Sequence, residues 1–218
     1  MRRWYLEARA LNAGLIARWL LSLAIVSSVC GVTYSYYRAT YNHARRLRVV
    51  TEGKFYRSGQ LTANGFKDAF QRFGIKCVIN LQEEARDPLI PEAWRGTPSI
   101  LESELCRAAG VKYISLDGGV LDVAPEDTGS RPKVLDEFIK IMSDESNFPV
   151  LIHCKAGLHR TGFLTGIYRM EFEGRSKDDV VRELRGNGFG TYGATEANDY
   201  VRVYIGNFQP TPKPGDKK

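Results

Sequence analysis

Val150-Leu151-Ile152-His153-Cys154-Lys155-Ala156-Gly157-Leu158-His159-Arg160-Thr161-Gly162 is the stretch that decides how this chain is read. Val150 to His153 is an apolar run of strand length, and Thr161 to Phe172 has the pattern of a helix. A short loop from a strand into a helix gathers backbone N–H groups around one point, and the helix N-terminus adds the positive end of its dipole. Such a turn is an anion site. Gly157 and Gly162 let the backbone turn tightly there. Arg160 sets a planar fork of donors beside the same point, which suits two oxygens of a phosphate at once. Cys154 stands at the mouth of the site, and helix termini and cationic neighbours favour the thiolate, the nucleophilic form of cysteine.

Outward from this stretch, strands alternate with helices. Phe55-Tyr56-Arg57-Ser58 reads as a short strand or turn at the entrance of the domain. Thr62 caps a helix that runs to Phe73 and stops at Gly74. Ile75 to Leu81 is a buried strand, followed by a polar loop with Pro88, Pro91 and Pro98. Ser99 and the Glu102–Ala109 stretch give a helix closed by Gly110, and Val111 to Leu116 is the next strand. Pro132 to Met142, Lys177 to Arg185 and Thr195 to Ile205 are helical. This alternation predicts an α/β fold, a central, mostly parallel sheet flanked by helices. Internal repeats are lacking.

The hydrophobic fraction of 43% fills one core and excludes a disordered chain. Charge is unevenly spread. Residues 1–50 hold eight arginines and one acid, Glu7, whereas the remaining 168 residues hold 23 basic and 24 acidic side chains. The nearly neutral main part gives no case for a nucleic-acid partner. Trp19 to Tyr37 is a 19-residue run without a charge, and about 20 apolar residues span a bilayer as a helix. Arg18 and Arg38 bracket it, with Trp19 at one end and Tyr34, Tyr36, Tyr37 and Tyr41 at the other, as interfaces favour. A cleaved signal peptide is the alternative, but the run is long and no clear Ala-x-Ala site follows. The expected organisation is a basic tail (1–18), one transmembrane helix (19–37), a basic linker (38–50), the main domain (51–208) and a polar, Pro-rich tail (209–218). Arg2, Arg3, Arg9 and Arg18 balance Arg38, Arg45, Arg46 and Arg48, so flanking charge does not orient the helix. The preference of a thiolate for a reducing compartment favours a cytoplasmic main domain. Cys30 falls in the membrane run, and Cys77 and Cys106 read as small buried hydrophobes.

His153-Cys154, five residues, then Arg160-Thr161-Gly162 resembles the signature of the cysteine-based protein tyrosine and dual-specificity phosphatases. The resemblance covers roughly residues 50–208. Phe55-Tyr56-Arg57-Ser58-Gly59-Gln60 is similar to the opening of the atypical dual-specificity group, and Val78-Ile79-Asn80-Leu81 to the family's first core strand. The resemblance implies that Cys154 attacks phosphorus to form a phosphocysteine, and that Arg160 with the amides of Lys155, Ala156, Gly157, Leu158 and His159 holds the phosphoryl oxygens. It implies that Thr161 donates to the leaving thiolate and that His153 braces the loop. It also implies an Asp on a separate loop as general acid. Asp117, at the end of the strand Val111–Leu116, is the first candidate. Asp122, better matched in its separation from the cysteine, is the alternative, and Asp127 a third.

The substrate signal is mixed. Phosphotyrosine or phosphoserine/threonine proteins lead. Lys155-Ala156-Gly157 also resembles the loop of lipid phosphatases of the phosphatase-and-tensin type, although Leu158 stands where those enzymes have a second lysine. The atypical group includes inositol pyrophosphate phosphatases, so a phosphoinositide or inositol (pyro)phosphate is the rival substrate. Lys155 and His159 also read as solvated charges. A membrane-tethered phospho-binding module without turnover is the non-enzymatic alternative, disfavoured by the intact Cys154 and Arg160. Sulfur transfer of the rhodanese kind is disfavoured by the spacing of Arg160 and Thr161. With no metal-ligand cluster, dinucleotide fingerprint or P-loop Lys-Ser/Thr pair, no cofactor is implied.

Overall fold

The computed structural model describes residues 2–37, 44–84, 100–116, 132–189 and 200–212. The chain divides into two units, Met1–Tyr41 and Asn42–Lys218. The first is a helix, α1 (Arg2–Tyr37). Its Gly14–Tyr37 part has 24 residues and holds an 18-residue window with a mean hydropathy of 1.9, long and apolar enough to cross a membrane.

The second unit is built on five strands, β1 (Arg48–Thr51), β2 (Phe55–Ser58), β3 (Cys77–Asn80), β4 (Lys112–Ser115) and β5 (Val150–His153). Their order is β1-β2-β5-β3-β4. β1 runs antiparallel to β2, and every other pairing is parallel. The expected mostly parallel sheet is therefore present, with an unforeseen edge strand. β1 takes up Arg48 to Val50, which the sequence reading assigned to a linker; four residues with one arginine do not announce a strand. Around the sheet lie α2 (Ala63–Phe73), α3 (Glu102–Ala108), α4 (Lys133–Ser143), α5 (His159–Glu173), α6 (Lys177–Gly186) and α7 (Tyr200–Asn207). Thr62 caps α2 by accepting the Gly65 N–H, and Gly74 ends it in the left-handed conformation, as the sequence predicts. Residues 195–199 of the last predicted helix and 213–218 of the tail lie outside the described residues.

Successive strand residues face opposite sides of the sheet, and both sides here are apolar. Phe55, Cys77, Ile79, Val150 and Ile152 pack with Phe138 of α4, with Phe163, Leu164 and Ile167 of α5, and with α6 and α7. Tyr56, Val78 and Leu151 point the other way, onto Phe66 and Ala69 of α2 and Leu105 and Cys106 of α3. Fully buried side chains such as Phe55, Phe138 and Phe163 each contribute about 1.5–3 kcal/mol by leaving water. Helix α5 is buried from Thr161 to Glu171, because the sheet covers one side and α6 and α7 cover the other. Its Arg169 is accommodated by Glu173 at 2.6 Å and Glu183 at 3.1 Å. Burial pushes the Cys77 thiol up to about 11 and the Cys106 thiol to about 12, so both stay protonated as small hydrophobes.

The middle strand is β5. Ser58 of β2 and Asn80 of β3 lie level with its last residue, His153. The chain after His153 thus emerges at the carboxyl edge of the sheet, where open α/β sheets place their ligands.

Candidate active site

Residues 154–158 turn from β5 into α5, which begins at His159, two residues earlier than the sequence pattern implies. Gly157 makes the turn with φ +70°, and a side chain there would meet backbone. Its Cβ would lie 2.5 Å from Gly59 N and 2.6 Å from the Ser58 carbonyl. The loop rests directly on the chain that leaves β2, which the glycines on both sides permit.

Three successive loop carbonyls are held from outside. Lys155 O accepts the Gln60 N–H at 3.2 Å. Ala156 O accepts Arg46 Nη1 at 2.9 Å, and Gly157 O accepts Arg57 Nη2 at 2.8 Å. In a trans peptide the C=O and N–H point opposite ways. Carbonyls tied outward therefore turn the following amides inward, and the Gly157 N–H donates to Cys154 Sγ at 3.3 Å. Cys154 is buried. Arg57 is only 4% exposed, and burial, with Arg48 adding to it, pushes its guanidinium down to about 10 against Glu183 and Cys154. It remains a cation at neutral pH.

The other predicted residues gather around the same loop. Arg160 Nη1 donates to Leu81 O at 2.8 Å, which ties its fork to the end of β3. The Thr161 hydroxyl is fully buried and has no hydrogen-bond partner among the described residues. Lys155, on the loop, is exposed. Leu158 is buried, and its Cδ2 lies 3.8 Å from where a Cβ on Gly188 would stand. His159 is not the solvated charge that its sequence position suggests. It is half-buried, its ring meets Phe189 edge-on at 5.7 Å, and burial pushes its pKa down, toward the neutral imidazole. Asp117, Asp122 and Asp127 lie outside the described residues. The described chain leaves β4 at Leu116, whose N–H donates to Asn80 O, on the same sheet edge as Cys154.

His153 is wholly buried, and its Nε2 lies 2.6 Å from Glu102 Oε1. The other oxygen of Glu102 accepts Gln60 Nε2 at 2.9 Å, and Gln60 in turn accepts from Gln82. Phe66 meets the imidazole edge-on at 5.4 Å. Sequence reasoning missed Glu102, Gln60, Arg46 and the role of Arg57. An acid in the first turn of a helix reads as a dipole partner, and Arg57 carried only a family resemblance.

A cysteine loop that leaves the middle strand of a mostly parallel sheet and enters a buried helix, with Arg160 and Thr161 at its far end, fits the cysteine-based phosphatases of dual-specificity type. Residues 32–201 match the family described as DSP-PTPase phosphatase fused to NAD+ Kinase, and the chain belongs to that family. Dual specificity protein phosphatase TpbA of Pseudomonas aeruginosa is 35% identical over 71 residues, 32% of this chain and 33% of that protein. Inositol diphosphatase DSP1 of Oryza sativa subsp. japonica is 39% identical over 70 residues, 30% of this chain and 29% of that protein. The chain thus matches about a third of the length of these curated relatives. The core catalytic domain of PP-IP phosphatase SIW14 from S. cerevisiae, in complex with citrate, has the same fold. Its TM-score is 0.51 at 22% identity, over 74% of this chain and 87% of that one.

Proposed function

We propose that this chain hydrolyses phosphomonoesters through a phosphocysteine, acting on phosphotyrosine or phosphoserine/threonine of proteins. The observation that carries the reading is the loop itself, with three carbonyls tied outward and the Gly157 N–H on Cys154 Sγ. Cys154 Sγ attacks phosphorus, and the bond from phosphorus to the ester oxygen breaks. Arg160 and the amides of residues 155–160 take the charge of the equatorial oxygens. Asp117, or Asp122 in its place, gives the proton to the leaving oxygen. Water then attacks phosphorus and gives a proton to the same aspartate, now a carboxylate; the S–P bond breaks, and the Thr161 hydroxyl donates to the departing thiolate. A hydroxyl buried without a partner among the described residues is free for that donation. His153, held by Glu102, braces the loop from behind.

A second substrate reading, an inositol (pyro)phosphate, is favoured by the exposed Lys155 on the loop and by the likeness to an inositol diphosphatase. Residues 19–37 anchor the chain in a membrane in this reading, since their apolar side chains are exposed all round the helix. The phosphatase unit then faces the cytoplasm, where thiols stay reduced.

The test is turnover by the full chain in detergent micelles, with phosphopeptides and inositol phosphates side by side. Cys154→Ser abolishes turnover on this mechanism but still binds inorganic phosphate, because the amides and Arg160 remain. A Cys154→Ser protein with near wild-type activity ends the phosphocysteine route. Preference for the inositol phosphates moves the assignment to the second reading.

A further inference from the structure

The loop amides that take the phosphoryl charge owe their donor strength to what holds the other end of each peptide unit. Three peptide units bear on this. The unit between Ala156 and Gly157 is held at its carbonyl by Arg46, and its N–H end is the one on Cys154 Sγ. The next unit is held at its carbonyl by Arg57. The preceding one is held at Lys155 O by a neutral backbone amide, that of Gln60. Two of the three units therefore carry a guanidinium on the end that faces away from the site. A cation on a carbonyl polarises the whole planar unit and makes its N–H a better donor to an anion.

The two arginines differ in setting. Arg57 is buried behind the loop, and a Cβ on Gly162 would come within 3.4 Å of its Nη2, so its guanidinium is fixed against the start of α5. Arg46 is half-buried and adopts φ +58°, a left-handed conformation that few non-glycine residues take. The neighbouring carbonyl, Arg45 O, accepts the Gly59 N–H at 2.8 Å, which ties this turn to the segment under the loop.

We infer that Arg46 and Arg57 are positioning residues that aim and polarise the Gly157 and Leu158 amides of the phosphate loop. The stretch just before the sheet and the Tyr56-Arg57-Ser58 strand are then parts of the anion site, although neither arginine touches the substrate. This inference rests on the phosphatase reading of the loop.

The experiment uses the full chain in detergent micelles and inorganic phosphate as the probe. Phosphate protects Cys154 from iodoacetamide, scored on the peptide that contains Cys154. A wild-type chain that phosphate does not protect fails the phosphatase reading itself. With wild-type protection in hand, Arg46→Ala is expected to weaken it about tenfold, the factor that one charge-assisted hydrogen bond carries. Arg46→Lys, which keeps a charge and a donor, recovers most of the loss. In p-nitrophenyl phosphate turnover the Arg46→Ala loss falls on kcat/KM. A residue that served stability alone would lower the unfolding temperature and leave both readouts of the folded protein unchanged. Arg57→Met, which also removes a buried charge, is expected to lose more than Arg46→Ala. If Arg57→Met does not fold, Arg46→Ala decides, because it removes no fully buried charge. Wild-type protection in Arg46→Ala overturns the inference whatever Arg57→Met does.

Discussion

Replacing Gly157 by alanine adds one methyl group where two backbones touch. The new Cβ would sit 2.5 Å from Gly59 N and 2.6 Å from the Ser58 carbonyl carbon and oxygen. Backbone cannot swing aside as a side chain would, so the loop and the chain after β2 must separate. The backbone also holds φ +70° at this residue. A left-handed conformation costs an L-residue about 1–2 kcal/mol, and an inserted methyl in a tight contact costs about 1–3 kcal/mol. For a domain of this size about 1 kcal/mol moves Tm by about 2–4 °C, so the expected fall is on the order of 10 °C. Calorimetry of the full chain in detergent measures it. Gly206→Ala in α7 is the control, because among the described residues nothing but its chain neighbours and its own helix backbone comes within 4 Å of an added Cβ. An alanine in a helix is favoured over glycine by about 1 kcal/mol, so this variant holds or slightly raises Tm. The same separation loosens the carbonyls of residues 155–157, so Gly157→Ala also loses phosphate binding and p-nitrophenyl phosphate turnover. A Tm within about 2 °C of wild type, or intact turnover, would mean that this contact does not shape the loop.

Three further outcomes are expected. Arg160→Lys loses most of its turnover, since a point charge replaces a fork that holds Leu81 O and, on the proposed mechanism, phosphate oxygens as well; steady-state kinetics with most activity retained would argue against the clamp. Asp117→Asn lowers phosphopeptide turnover by about 10²–10⁴ and p-nitrophenyl phosphate turnover less, because that leaving group needs no acid, while Asp122→Asn is mild. If the two variants exchange behaviour, Asp122 is the acid, and if neither depends on the leaving group, the acid is not on this loop. Full-length protein stays with membranes through a carbonate wash, whereas a chain shortened to begin at residue 42 is soluble and active; full-length protein in the soluble fraction would remove the anchor.

The starting residue in that last experiment follows from the structure. On the sequence, the stretch 38–50 reads as a linker, and removing residues 1–48 looks harmless. In the fold, Arg45 O accepts the Gly59 N–H under the loop and Arg46 Nη1 donates to Ala156 O of the loop, so such a cut would take away two of its supports. His159 makes the same point from the other direction. A histidine beside a basic loop reads as a solvated charge until Phe189, thirty residues on, closes over its ring.

Features whose physics is local are legible in the amino-acid order alone. Cys154 opens a short turn and Arg160 and Thr161 lie in the first turn of the helix that follows, so their spacing along the chain already sets their spacing in space. Thr62 and Gly74 act on the helix ends they adjoin, and the apolar run of α1 is a matter of composition over consecutive residues. The supports of the loop are of another kind. Arg46 is 110 residues from Ala156, Arg57 is 100 from Gly157, and Glu102 is 51 from His153. No periodicity links such pairs. They meet because β5 inserts between β2 and β3, which sets the ends of three strands level at Ser58, His153 and Asn80. That order is chosen by burying both apolar faces of the sheet at once, a property of the whole domain and not of any one stretch of it.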